Sequence, residues 1–309
     1  MSDPSSADPP PARFADRTRG VGAYLGMAVT ETSDGSGPLA RLRGPFAAPD
    51  HVTDAEGRTS TGIIAALVDS IGGLASGVAS LPDWIVTLDL TLRRAPSALA
   101  GPSAGGPLEL ETEVLRRGRS AVVTRTEVTG ADATPVARGW MTCSVLTPAG
   151  GPPQLERPVR PVVLEPTDDP VFARPPHEFF GLRPGTAAGS MALDPLDRLR
   201  NPWGIVHGGA TVVLAEAAAL RAATTAASAV EGLGPGAGPP VDPVVSDLVV
   251  HYLNPGRSGP LEAVPEVVGR RGPTTLVRVA VLDRGADDRA VAEVVLTVAD
   301  ARAADATDR

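Results

Sequence analysis

The sequence has no lysine, one cysteine and few aromatic side chains, with five Phe, three Trp and two Tyr in 309 residues. A single cysteine, Cys143, excludes an intramolecular disulfide and a cysteine-based zinc cluster. With no base suggested beside it, Cys143 reads as a core residue. The shortage of aromatics means that the cores rest on Val, Leu, Ala and Ile, and an apolar fraction of 42% supplies enough of them. Positive charge is also short. The net charge of −8 argues against a general nucleic-acid binder, which gathers a basic face to neutralise phosphates. No 18-residue apolar run stands out as a bilayer span. The N-terminus, M-S-D-P-S-S-A-D-P-P-P, lacks a charged region followed by an apolar one. The expectation is a soluble cytoplasmic protein without membrane or nucleic-acid partners. His51, His177 and His251 form no ligand spacing with nearby acids, so no metal is expected.

Proline and glycine, by contrast, are abundant, and they divide the chain. Residues 1–12 read as a disordered tail, 13–147 as a first domain, 148–170 as a Pro/Gly-rich linker, 171–302 as a second domain and 303–309 as a closing tail. Each domain follows one plan. The first has strand-like runs from Tyr24 and Leu39, then a helical segment from Thr61 with Ile64, Leu67, Val68 and Ile71 on one face. Strand-like runs then start at Trp84, Leu108, Ala121 and Val136. In L-E-L-E-T-E-V the period is two, as in a half-buried antiparallel strand. The second domain repeats the order, with S-M-A-L from Ser190, a helical segment from Ala210 to about Ala227 and β-rich runs from Val244 onward.

Spacing fixes the register of this repeat. Ser60 to Asp69 and His207 to Glu216 each span nine residues and are offset by 147, whereas Pro96 and Pro255 are offset by 159. The difference of twelve falls around the Gly/Pro loop G-L-G-P-G-A-G-P-P-V-D, where an insertion is tolerated. The halves are read as diverged duplicates.

The stretch N-P-W-G-I-V-H-G-G-A-T-V-V-L-A-E, from Asn201 to Glu216, carries the chemistry. Its His207-Gly208-Gly209 precedes a helix, whose free first-turn N–H groups can polarise a carbonyl oxygen. Glycine there lets a ligand approach the backbone. Simpler roles exist for each residue: a cap for His207, a tight turn for the glycines, a turn for Asn201, and exposed helix acids for Asp69 and Glu216. Against the last stands the sequence around each acid, L-V-D-S-I and L-A-E-A-A, which is small and apolar.

Two units of about 130 residues, each a helix laid on a long antiparallel sheet, resemble a tandem hotdog fold, an α+β architecture forming an intrachain pseudo-dimer. The motif N-x-x-G-x-V-H-G-G…E resembles the acyl-CoA thioesterases of the phenylacetate-pathway type. It is well kept in the second half and eroded in the first. The resemblance implies thioester hydrolysis at the interface of the two units. There a Gly N–H serves as oxyanion donor, and a carboxylate from the other unit as base or nucleophile. It places Asn201, His207, Gly208 and Gly209 on the donor side and Asp69 or Glu216 at the carboxylate. A first site would combine Asn201, His207 and Gly208 with Asp69. A second would combine Glu216 with Ser60-Thr61-Gly62, where the histidine and first glycine are missing, so the first is expected to be the active one. Members often hold the attacking water with a Ser or Thr in the strand after the helix, and Thr87 fits by count.

No cofactor is implied beyond coenzyme A as part of the substrate. Arg116, Arg117 and Arg119, with Arg270 and Arg271, stand at matching hairpins and are candidates for its phosphates, against the alternative of solvated turn charges. Pairs of such pairs are common in the family, which makes a homodimer of the double chain a candidate assembly. The rival readings are a non-catalytic acyl-CoA-binding hotdog protein and, lacking the expected Asp and His pair, a hydratase or dehydratase. No G-x-S-x-G elbow supports a serine hydrolase.

Overall fold

The computed structural model describes residues 20–32, 40–55, 57–99, 106–130, 133–146, 162–163, 168–201, 203–228 and 242–301. The tails, most of the linker and most of the Gly/Pro loop after the second helix lie outside these residues.

Among the described residues thirteen strands form one sheet. They are β1 (Ala28–Glu31), β2 (Arg41–Phe46), β3 (Trp84–Arg94), β4 (Leu108–Arg117), β5 (Ala121–Thr129), β6 (Pro135–Leu146), β7 (Val162–Val163), β8 (Arg183–Pro184), β9 (Met191–Leu193), β10 (Pro243–Tyr252), β11 (Leu261–Arg271), β12 (Thr274–Asp283) and β13 (Arg289–Asp300). Their spatial order is β7-β1-β2-β4-β5-β6-β3-β10-β13-β12-β11-β9-β8. From β1 to β3 and from β8 to β10 the two halves are mirror images in order, joined where β3 pairs antiparallel with β10. Alternation drives the sheet, since buried and more exposed positions alternate through β5 and through most of β4.

The seam has the pairing that a twofold axis would give. Leu90 faces Val250 and Thr91 faces Val249, so each residue opposes the repeat counterpart of its neighbour at an offset of 159.

Two long helices cover the sheet, α1 (Thr61–Ser80) and α2 (Gly208–Ser228), and they pack on each other as well as on the strands. Ser60 starts α1 by accepting a hydrogen bond from the Ile63 N–H, one of the orphan donors of a helix start. The helices cross at glycines. A methyl group at Gly209 would stand 2.7 Å from Ala66 Cα, and one at Gly62 would stand 3.2 Å from Val213 Cα. Both pairs map onto each other at the offset of 147.

Three expectations change. Tyr24 closes a helical turn, Val21–Tyr24, and the strand starts only at Ala28, because Gly26 at φ 61° turns the chain between them. The Tyr24 ring stacks on Phe179 with centroids 3.7 Å apart, and its hydroxyl donates to the Arg174 carbonyl, so this element ties the halves together. Val162–Val163, inside the stretch read as linker, pairs with β1 and extends the first unit's sheet. Finally, α1 is long and apolar enough to cross a bilayer, with a mean hydropathy of 1.7, but 78% of that window is buried inside the fold. Asp69, Ser70 and the glycines interrupt its apolar residues, so no unbroken apolar run marks it in the sequence.

Candidate active site

Asp69 lies midway along α1 and is 6% exposed. Its apolar neighbours on α1 face the core, and the carboxylate emerges where α1 meets the start of α2. Oδ1 accepts from the Thr87 hydroxyl at 3.0 Å, and Oδ2 accepts from the Gly209 N–H at 3.1 Å. Thr87 sits on β3 beside an irregularity in its pairing with β6, between Thr87 and Asp89. The carboxylate therefore belongs to the first half and is held by both halves.

His207 stands beside it. Its Nδ1 accepts from the Gly209 N–H at 3.0 Å and lies 3.4 Å from Asp69 Oδ2. An accepting Nδ1 puts the ring proton on Nε2, which faces the Ser70 hydroxyl oxygen at 3.5 Å. Ser70 in turn donates to the Ala66 carbonyl, which leaves its oxygen lone pairs toward the imidazole.

The first residue of α2 is Gly208. As the N1 residue it has no intrahelical acceptor for its N–H, and among the described residues no other group takes it. A methyl group here would stand 2.8 Å from Asp69 Oδ2 and 2.9 Å from the Tyr252 hydroxyl, so an acid and a phenol lie close against the Gly208 Cα. Asn201 acts one step back. Its Oδ1 accepts from the N–H groups of Trp203 and Ile205, closing the turn that delivers His207, whose own N–H donates to the Leu199 carbonyl. The Trp203 ring from this turn meets Trp84 of β3 across the seam.

At the second site the parts differ in kind. Glu216, 5% exposed, accepts from the Ser60 hydroxyl at 2.8 Å, and the N–H groups of Gly62 and Thr61 also act on it as donors. Desolvation raises its pKa, opposed by Gly62, Ser60, the charge of Arg94 and Thr61. Arg94 is buried as well, donating to the Thr59 and Ala98 carbonyls. Desolvation lowers its pKa to about 10 against the pull of Glu216. Thr61 is the repeat counterpart of Gly208. One extra methylene thus lets Glu216 occupy both first-turn donors, whereas Asp69 leaves the Gly208 N–H free.

The hairpin arginines sit where the sequence put them. Arg117 ends β4 and donates to the Gly118 carbonyl and to Asp83, just before the end of β3 that carries Trp84 and Thr87. Arg116 and Arg271 are exposed, and Arg270 is half-buried at the end of β11. Cys143 lies in the core on β6, its thiol pushed up to about 12 by burial. Among the described residues no group of three His, Cys, Asp or Glu could hold a metal ion. Sequence reasoning missed Tyr252, Ser70 and Arg94, none of which stands within the motif.

Residues 204–288 match the model of the Thioesterase superfamily. No curated protein matches the chain. A tesB protein of Mycobacterium avium subs paratuberculosis is similar in structure, with a TM-score of 0.52 at 15% identity over 93% of this chain and 98% of that one. So is an acyl-ACP thioesterase from Bacteroides thetaiotaomicron, with a TM-score of 0.51 at 10% identity over 84% and 98% of the two chains. The 12:0-ACP thioesterase from Umbellularia californica gives a TM-score of 0.54 at 10% identity over 85% and 94%. At these identities the likeness is one of fold, and the matched stretch contains His207, Gly208, Gly209 and Glu216. Residues 204–288 are thus similar to the Thioesterase superfamily, and the chain as a whole has a tandem hotdog fold.

Proposed function

We propose that this chain hydrolyses an acyl-CoA-type thioester at the Asp69 site, releasing a free acid and a thiol, and that the Glu216 site is inactive. The observation that carries the reading is the unpaired Gly208 N–H beside a buried carboxylate from the other half. Attack on a thioester carbonyl moves negative charge onto its oxygen, and a backbone N–H fixed at a helix start meets that charge without reorganising. Asp69 serves as general base toward water or as the nucleophile itself. Thr87 and the Gly209 N–H hold its two oxygens in place. His207 and Asn201 support the donor side, His207 by accepting from Gly209 and Asn201 by closing the turn.

The phosphates of the thiol carrier would meet Arg116 and Arg117, or Arg270 and Arg271, at the hairpins. The family reading is of the phenylacetate-pathway type, in a cytoplasmic homodimer of the double chain. Release of free thiol from a panel of acyl-CoA and acyl carrier protein thioesters tests the activity. Turnover of at least one of them is expected, reduced about 10²-fold or more in Gly208→Ala, whose methyl crowds the carboxylate. No release from any thioester would favour a ligand-binding protein instead.

A further inference from the structure

The phenol of Tyr252 is the feature that the account so far leaves unused. It ends β10, the second unit's seam strand, one residue beyond the last pair with β3, His251 with Asp89. Its hydroxyl is sealed from solvent and has no hydrogen-bond partner among the described residues. Buried hydroxyls are nearly always paired, so one that is not calls for a reason. The reason lies in where it points. A methyl group at Gly208 would stand 2.9 Å from the Tyr252 oxygen and 2.8 Å from Asp69 Oδ2, so the hydroxyl lies against the residue that carries the free N–H, with Asp69 close to the same point. Burial, and secondarily the charge of Asp69, hold the phenol well above its ordinary range, which keeps it protonated and able to donate.

We propose that Tyr252 is a catalytic residue whose O–H donates a second hydrogen bond to the thioester carbonyl oxygen, alongside the Gly208 N–H. This rests on the reading of the Asp69 site as a thioester site. The second site has no such group, because Arg93, at the repeat position of Tyr252, is exposed and lies near Asp247. Two donors on one oxygen share the charge that develops there, and removing one typically costs about 10²–10³-fold in kcat.

The test compares wild type with Tyr252→Phe in two measurements on the full chain. Thiol release should fall about 10²-fold in kcat with KM nearly unchanged, and Tm should hold or rise, because an unsatisfied buried hydroxyl has been removed. The second measurement needs no turnover. An acyl-CoA labelled with ¹³C at its carbonyl is bound to Asp69→Asn, with and without Tyr252→Phe, and the carbonyl stretch is read by isotope-edited infrared difference spectroscopy. The stretch should lie below its value in water and move back up when the phenol is lost. An unchanged stretch in Tyr252→Phe overturns the proposal, even if kcat falls. Absence of acyl-CoA binding overturns both the proposal and the thioester reading. A Tyr252-dependent stretch in a chain that hydrolyses nothing supports the donor and rejects only the hydrolysis.

Discussion

Asp69 and Glu216 occupy one position of a repeated helix and differ by a methylene, and that methylene changes which first-turn N–H groups each carboxyl meets. The shorter acid accepts from Gly209 and leaves Gly208 unpaired, whereas the longer one is acted on by both Thr61 and Gly62. Glu216 carries a pH signature of its own. Its folded-state pKa is raised, so the folded protein favours the neutral carboxyl. The resulting stabilisation is complete below the unfolded value of about 4.5 and is lost as pH rises through the folded value. Glu216→Gln keeps the neutral form at every pH. Urea midpoints measured from pH 4 to 8 should therefore fall with pH more steeply for wild type than for this variant, and parallel curves would refute the assignment. Gly209→Ala pushes a methyl to 2.7 Å from Ala66 Cα, which should cost about 1–3 kcal/mol of unfolding free energy by the same measurement.

At the scale of elements, the hairpin of β8 and β9 shows the opposite electrostatics. Glu262 on β11 is 1% exposed and accepts from the N–H groups of Thr186 and Ala187, from the hydroxyls of Thr186 and Ser190, and from Arg284. Desolvation pushes its pKa up, but these donors together outweigh it and lower the value to about 2. Its contribution is present above the unfolded value of about 4.5 and is lost as pH falls through about 2. The difference corresponds to about 3 kcal/mol. Acid unfolding should accordingly lose its steepest part in Glu262→Gln, which will already be less stable at pH 7. A variant that tracks wild type down to pH 2 would show that the carboxylate is not what the hairpin holds.

Much of this element pattern was legible in the sequence. The period-two run L-E-L-E-T-E-V became β4, and the family resemblance with a count from Asp69 pointed to Thr87, whose hydroxyl donates to that carboxylate. The turn at Tyr24 was not, because a short apolar run has no period to distinguish a strand from a helical turn that packs against distant Phe179. Tyr252 carries no local signal either. Its role depends on the seam bringing the end of β10 under the start of α2, a contact made by the fold and not by any motif.

For the whole molecule, duplication is the organising fact. The offsets of 147 and 159 read from the sequence reappear as the Gly62–Val213 and Gly209–Ala66 crossings and as the exchanged pairs at the β3–β10 seam. The sheet is continuous through that seam, and the Tyr24–Phe179 stack joins the halves a second time. A chain built this way should unfold in one cooperative transition. Leu248→Ala, at a seam position 1% exposed, should lower its midpoint by an amount equivalent to about 2–5 kcal/mol without splitting it. Two calorimetric transitions, only one of them shifted, would mean that the halves are independent.

The same geometry predicts one active site per chain, made from both halves. Thiol release by Asp69→Asn and Glu216→Gln, assayed side by side on a thioester that wild type cleaves, tests this most directly. The account predicts a loss of kcat of at least about 10²-fold for Asp69→Asn and a change within about threefold for Glu216→Gln. Loss of activity in Glu216→Gln with Asp69→Asn unaffected would contradict it.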